Sequence, residues 1–172
     1  MPGRLPCQPP QSQFDLGSGR TRLMPLLFTI DERVRWSAVD KAGIIFYGAY
    51  VRFFELAEME LFRSAGVPYS EVFDRWDMWL PRVHLESDFH YPSRLDDTLR
   101  VAAYVTRFGT SSLQINFDIL HLDAGVLAVT GHEILVCTTR DTLASRPLPH
   151  DLVDMLQPYC MTTEQARAEL GV

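Results

Sequence analysis

The sequence predicts an α+β domain in which a curved antiparallel sheet of about five strands wraps around one long helix. Three observations lead there. One stretch of helical period is apolar over more than one face, four later stretches alternate with period two, and two of the breaks between them are short enough for hairpins. A helix apolar on so much of its circumference is enclosed rather than laid on a surface, and a meander folded over it is the economical way to enclose it. The chain has 172 residues, 47% hydrophobic and 22% charged, which suits one soluble domain and excludes a disordered or fibrous chain.

Residues 1–24 carry Pro2, Pro6, Pro9, Pro10, Gly3, Gly17 and Gly19 among Gln, Ser and Arg, with no apolar period, and predict a flexible N-terminal tail. The domain is expected over residues 25–160. Leu26 to Trp36, with Phe28, Ile30, Val34 and Trp36, reads as the first strand, and Ser37 to Gly43 as a turn. From Gly48 to Ala65 the period becomes helical: Tyr50, Phe54, Ala57, Leu61 and Ala65 form one stripe, and Gly66 followed by Pro68 stops it. A short helix is expected around Ser70 to Trp76. Val83, Leu85, Phe89 and Tyr91 then oppose Arg82, His84, Glu86, Asp88 and His90 in the next strand. Leu99 to Val105, Leu113 to Ile119 and Val126 to Val136 give three more, broken at Pro92 to Asp97, Gly109 to Ser111 and Asp123 to Gly125. Asp151 to Gln157 predicts a short helix, and residues 161–172 a C-terminal tail.

The net charge is −6, and Lys41 is the single lysine. Without a basic run there is no footprint for nucleic acid or an anionic membrane, so an anionic ligand requires a local arginine site. No apolar run approaches the roughly 20 residues of a membrane span, and the first residues lack a signal-peptide core. Cys7, Cys137 and Cys160 are widely spaced with no Cys-x-x-Cys, which spells neither a disulfide framework nor a zinc site and points to a reducing cytoplasm.

The densest candidate for chemistry is residues 39–50, between the first strand and the long helix. It joins a loop carboxylate, Asp40, to a glycine, the aromatic pair Phe46 and Tyr47, and a helix start. A helix start offers unpaired N–H groups to a developing negative charge, and an ionised carboxylate facing such donors suits acyl transfer. The bland alternative is that Asp40 forms a turn and the aromatics belong to the core. His84, His90, His121, His132 and His150 show no ligand spacing, so no metal is expected, and His132 and Glu133 point to opposite faces of one strand. Glu55, Glu58 and Glu60 read as a solvated helix edge paired with Arg52 and Arg63, with Glu58 nearest the buried stripe. No Gly-x-Ser-x-Gly elbow or phosphate-cradling glycine loop occurs.

The run Arg35-Trp36-Ser37-Ala38-Val39-Asp40-Lys41-Ala42-Gly43-Ile44-Ile45-Phe46-Tyr47-Gly48-Ala49-Tyr50-Val51-Arg52-Phe53-Phe54-Glu55 resembles the signature of the hot-dog-fold acyl-CoA thioesterases of the 4-hydroxybenzoyl-CoA thioesterase type. The resemblance extends over about residues 27 to 157. It implies a hot-dog fold and hydrolysis of an acyl-CoA to free acid and coenzyme A, with no metal or cofactor beyond the coenzyme A of the substrate. By position, Asp40 matches the catalytic carboxylate, as nucleophile or general base, and the backbone N–H of Tyr47 matches the oxyanion donor. Gly48, Tyr50 and Glu55 fall among the substrate-binding positions, with Glu55 near the acyl end. The hairpin around Arg107, Thr110 and Ser111 falls where some members hold the coenzyme A phosphates. The Phe46-Tyr47 pair and the surrounding aromatics imply an aromatic acyl group. A dimer is the minimum assembly implied, commonly a tetramer, with no nucleic-acid or membrane partner. Two departures stand out: Ala49 replaces the usual Asn, and the hairpin carries only one cation, Arg107. A related branch uses a helix glutamate as its carboxylate, which leaves Glu55 and Glu58 as alternatives. A non-catalytic acyl-CoA-binding module on the same fold is the rival from another class. A dehydratase would need a histidine near the helix, and residues 31–83 contain none.

Overall fold

The computed structural model of the chain describes residues 25–172; the tail expected over residues 1–24 lies outside them. Five antiparallel strands form one sheet in the order β1-β3-β4-β5-β2: β1 Phe28–Arg33, β2 Arg82–Phe89, β3 Thr98–Phe108, β4 Ser112–His121 and β5 Val126–Val136. Helix α1, Tyr50–Ser64, lies across its inner face, α2 spans Tyr69–Arg75, and α3 spans His150–Leu156. No helix among the described residues is long and apolar enough to cross a membrane.

The helical stripe is what seats α1. Tyr50, Phe54, Ala57 and Leu61 are buried, joined by Phe53 and Phe62, while Val51, Arg52 and Glu55 stay exposed. Phe54 stacks on Phe117 of β4 with ring centroids 4.5 Å apart. Beside it the helix nearly touches β5 at Gly131, where a Cβ would stand 3.0 Å from the Phe54 ring and 2.6 Å from the Glu86 carbonyl oxygen. Truncating Phe54 to Ala would cost about 3–5 kcal/mol. The helix ends in a Schellman motif: Gly66, at φ 81°, donates to the Arg63 carbonyl and Val67 to that of Phe62.

Three expectations need correction. The first strand stops at Arg33, because the Val34 N–H turns to the carbonyl of Asp97; Trp36 instead opens a single 3₁₀ turn and is 78% exposed. In β2 the alternation breaks at Val83, where the register shifts between Arg82 and His84. The bulge turns Arg82 to the inner face, opposite Leu135, and leaves His84, Glu86 and Asp88 on the outer one. Residues 161–172, expected as a tail, carry helix α4, Thr163–Leu170, closed at its start by a Thr162–Gln165 capping box. It docks on the outer face of β3 and β4: Ala166 is buried with Tyr104 and Met161, and Arg167 reaches the buried Asp118 at 3.2 Å. Cys137 is a free buried thiol.

The β2 edge is unlike the rest of the sheet. Seven of its eight residues are exposed, among them the apolar Val83, Leu85 and Phe89.

Candidate active site

Residues 38–46 fold as a small hairpin between the sheet and α1. The Asp40 N–H donates to the Ile44 carbonyl at 3.0 Å, the Phe46 N–H to that of Ala38 at 3.1 Å, and the Ile45 N–H to that of Ser93 at 2.9 Å. The tip turns through Gly43, whose φ of 75° is open to glycine at little cost. One Asp40 carboxylate oxygen accepts the Ala42 N–H at 2.8 Å, and no other hydrogen bond holds this exposed carboxylate among the described residues. The turn-forming role is therefore real, and it leaves the second oxygen free for chemistry.

The chain then enters a 3₁₀ turn, Tyr47–Ala49, that runs into α1 with no side chain capping its first N–H groups. A Cβ at Gly48 would stand 3.2 Å from the Phe46 ring, so glycine lets that ring lie close against the turn. Asp40, Phe46, Tyr47 and Tyr50 line one open cleft of ≈ 410 Å³, whose opposite wall is Phe89, His90 and Tyr91 at the end of β2. Tyr50 is buried and packs on Phe89 at 5.3 Å, and its burial raises the phenol above its ordinary range. Tyr47 is 80% exposed. Behind the wall, the buried His121 accepts the Ala124 N–H on Nδ1, so its Nε2–H donates to Asp97 at 2.9 Å. Its ring holds Tyr91 edge-on at 5.2 Å.

The structure thus gathers Asp40, Tyr47 and Tyr50 at the cleft; Gly48 lies in the 3₁₀ turn between them without lining it, and the other expected residues stand apart. Glu55 is on the exposed strip of α1 and does not line the cleft. Arg107, Thr110 and Ser111 sit at the β3–β4 hairpin, whereas the cleft lies near the start of β3; at about 3.3 Å per residue the strand separates them by roughly 30 Å. Three arginines that the spacing did not single out, Arg33, Arg35 and Arg52, border a small dimple with Phe53 and Glu32, the last of which pairs with Arg35 at 3.6 Å. Only their juxtaposition in space reveals them, because they come from a strand end, a loop and a helix.

Glu58 is more deeply buried than its edge position suggested, at 1% exposure. Arg82, turned inward by the bulge, donates to it at 2.6 Å, and the Tyr69 hydroxyl donates to its other oxygen. Glu133, from β5, completes the cluster; its Arg82 contact is long, at 3.9 Å, and its second oxygen is buried without a partner. Burial first, and the Glu58 charge second, push the Glu133 carboxyl far above the ordinary carboxylate range. Burial likewise raises the Tyr69 phenol. None of these four groups lines the cleft.

A wrapped five-stranded sheet around one helix, with this cleft at the helix start, is the hot-dog fold. Comparison with known proteins agrees. Residues 42–128 match the model of the thioesterase superfamily, about half of the chain, and the chain belongs to that family. Asp40 lies two residues before the matched span. Among curated proteins it is similar to a 1,4-dihydroxy-2-naphthoyl-CoA hydrolase of Synechococcus elongatus, with 26% identity over 72% of this chain and 90% of the relative. It is also similar to the acyl-CoA thioester hydrolase YbgC of Escherichia coli, with 24% identity over 74% and 93%. The solved 1,4-dihydroxy-2-naphthoyl-CoA thioesterase from Synechocystis shares the fold, with a TM-score of 0.71 and 21% identity over 76% of this chain and 96% of that one.

Proposed function

We propose that this thioester hydrolase cleaves an aromatic acyl-CoA to the free acid and coenzyme A, with Asp40 as its carboxylate. The observation that carries the reading is the convergence of Asp40, the uncapped Tyr47 N–H and a wall of aromatic rings on one cleft. The thioester carbonyl oxygen would accept from the Tyr47 N–H as negative charge develops on it. Asp40 would then attack the carbonyl carbon to give a mixed anhydride, expelling the coenzyme A thiolate, and water would hydrolyse the anhydride. Alternatively it would take a proton from water that attacks directly. Phe46, Tyr47, Tyr50, Phe89 and Tyr91 would receive a flat acyl group, a reading also supported by relatives named for a naphthoyl-CoA substrate.

The nucleotide end of the substrate needs cations, which Arg33, Arg35 and Arg52 supply within the chain. Arg107, Thr110 and Ser111 could reach the same substrate only from a second copy. The open β2 edge fits that requirement, and a cytoplasmic homodimer or tetramer is the form we assign to the enzyme. Light scattering at micromolar concentration should show at least a dimer.

The direct test is a panel of benzoyl-, hydroxybenzoyl-, 1,4-dihydroxy-2-naphthoyl- and straight-chain acyl-CoA with detection of the released thiol. Aromatic substrates should exceed straight-chain ones in kcat/KM by about tenfold or more. Equal or inverted turnover would overturn the aromatic preference, and tight binding without thiol release would make the chain a binding module.

A further inference from the structure

On the face of the sheet turned away from α1, β2 and β5 bring together three side chains of metal-ligand type. Glu86 stands directly opposite His132 in the register of the two strands, and His84 is two residues from Glu86 on the same face. The bulge before His84 is what separates the faces here, sending Arg82 inward and His84 outward. The His84 and His132 ring centroids are 5.1 Å apart, His84 Nε2 is 3.6 Å from a Glu86 carboxylate oxygen, and one ligand atom from each of the three lies within 4.8 Å of the others.

We propose that His84, Glu86 and His132 bind a divalent transition-metal ion of the zinc class. A tetrahedral ion with bonds of about 2.0–2.2 Å spaces its ligand atoms roughly 3.3 Å apart. The His84–Glu86 pair already stands close to that spacing, and half-exposed side chains can close the remaining distance by rotation about their own bonds. Two imidazoles and one carboxylate favour zinc, cobalt or nickel over magnesium or calcium, whose preferred donors are all oxygen. Three protein ligands leave a fourth position for water. The site is separate from the cleft: Phe89 contacts Tyr50 on the inner face, whereas His84 and Glu86 alternate to the outer one. Its consequence is mechanical. Ligands from two strands would tie the edge strand β2 to β5, its one neighbour in the sheet.

The test uses the untagged full chain, freed of metal with a chelator and titrated with Zn²⁺ by calorimetry and with Co²⁺ by absorption spectroscopy. Zn²⁺ should bind at one equivalent per chain with a Kd on the order of 1 μM or tighter, raise Tm in a concentration-dependent way, and slow hydrogen exchange in β2. Co²⁺ should give the intense visible bands of a four-coordinate ion. His84→Gln, Glu86→Gln and His132→Gln should each weaken Zn²⁺ binding by at least about tenfold while the metal-free Tm, measured alongside, stays near wild type. Absence of saturable Zn²⁺ binding below about 100 μM, or wild-type affinity retained in the three variants, would overturn the site. So would binding that leaves β2 exchange and Tm unchanged.

Discussion

The β3–β4 half of the sheet is covered on both faces, by α1 inside and by α4 outside, whereas the β2 edge is exposed on both. In the covered half a buried carboxylate is enclosed: Asp118 is held by Arg167 and by the Tyr104 hydroxyl at 2.9 Å. At the open edge, Val83, Leu85 and Phe89 meet solvent in a single chain. The cleft that carries Asp40 has its far wall at the end of this same strand. The fold thus finishes its core with its own C-terminal helix but leaves the strand that borders the candidate active site exposed, where the proposed second copy would dock.

Three variants probe that contrast. The largest effect is expected at the edge. Val83→Lys combined with Leu85→Lys places like charges on the edge that the proposed second copy would use, the device by which natural edge strands refuse partners. The double variant should be monomeric by light scattering and should lose more than about tenfold in turnover, because shared sites lose their geometry. A fully active monomer would show that the open edge is unrelated to catalysis.

A smaller effect is expected on the covered side. Arg167→Ala leaves the buried Asp118 with only the Tyr104 hydroxyl, which should cost about 2 kcal/mol, less than for a fully enclosed pair because Arg167 is partly exposed. Thermal unfolding should shift down by several degrees with kcat almost unchanged. An unchanged Tm would mean that α4 is held by Ala166 packing alone.

The smallest effect lies between the two halves, at Glu133. Its folded-state carboxyl is pushed up to about 9, so between the ordinary carboxylate range and that value the native chain holds a proton the unfolded chain has lost. Wild-type stability therefore falls as pH rises through that window. Glu133→Gln removes the titration while keeping the shape. Its stability relative to wild type should be small at pH 5 and grow steadily as pH rises toward 9. Denaturant unfolding at the two pH values reads this directly, and a difference that shrank with pH would contradict the raised carboxyl.

Much of this was legible in the sequence because periodicity reports burial. The Tyr50, Phe54, Ala57, Leu61 stripe predicted α1, and the alternation in residues 99–136 predicted the three central strands. What failed has common causes. Period two cannot show a bulge, so Arg82 was assigned to the outer face and its inward pairing with Glu58 and Glu133 was invisible. Helix α4 is short and mostly polar, so the apolar period missed it, although Thr162 three residues before Gln165 and a glycine at 171 were its signals. Asp40 and Tyr47 could be nominated from the sequence because they share one contiguous segment, which the structure folds around one cleft. Arg33, Arg35 and Arg52, like His84, Glu86 and His132, come from separate elements that only tertiary structure brings together.

The central claim is that Asp40 supplies the chemical carboxylate, and Asp40→Asn measured against aromatic acyl-CoA tests it most directly. Asn can still accept the Ala42 N–H that Asp40 accepts at 2.8 Å, so the turn survives and only the charge is lost. The account predicts that kcat falls by at least about a hundredfold while KM changes little, with Glu55→Gln near wild type. Near wild-type turnover in Asp40→Asn, together with a collapse in Glu55→Gln or in a folded Glu58→Gln, would move the carboxylate onto α1 and contradict the account.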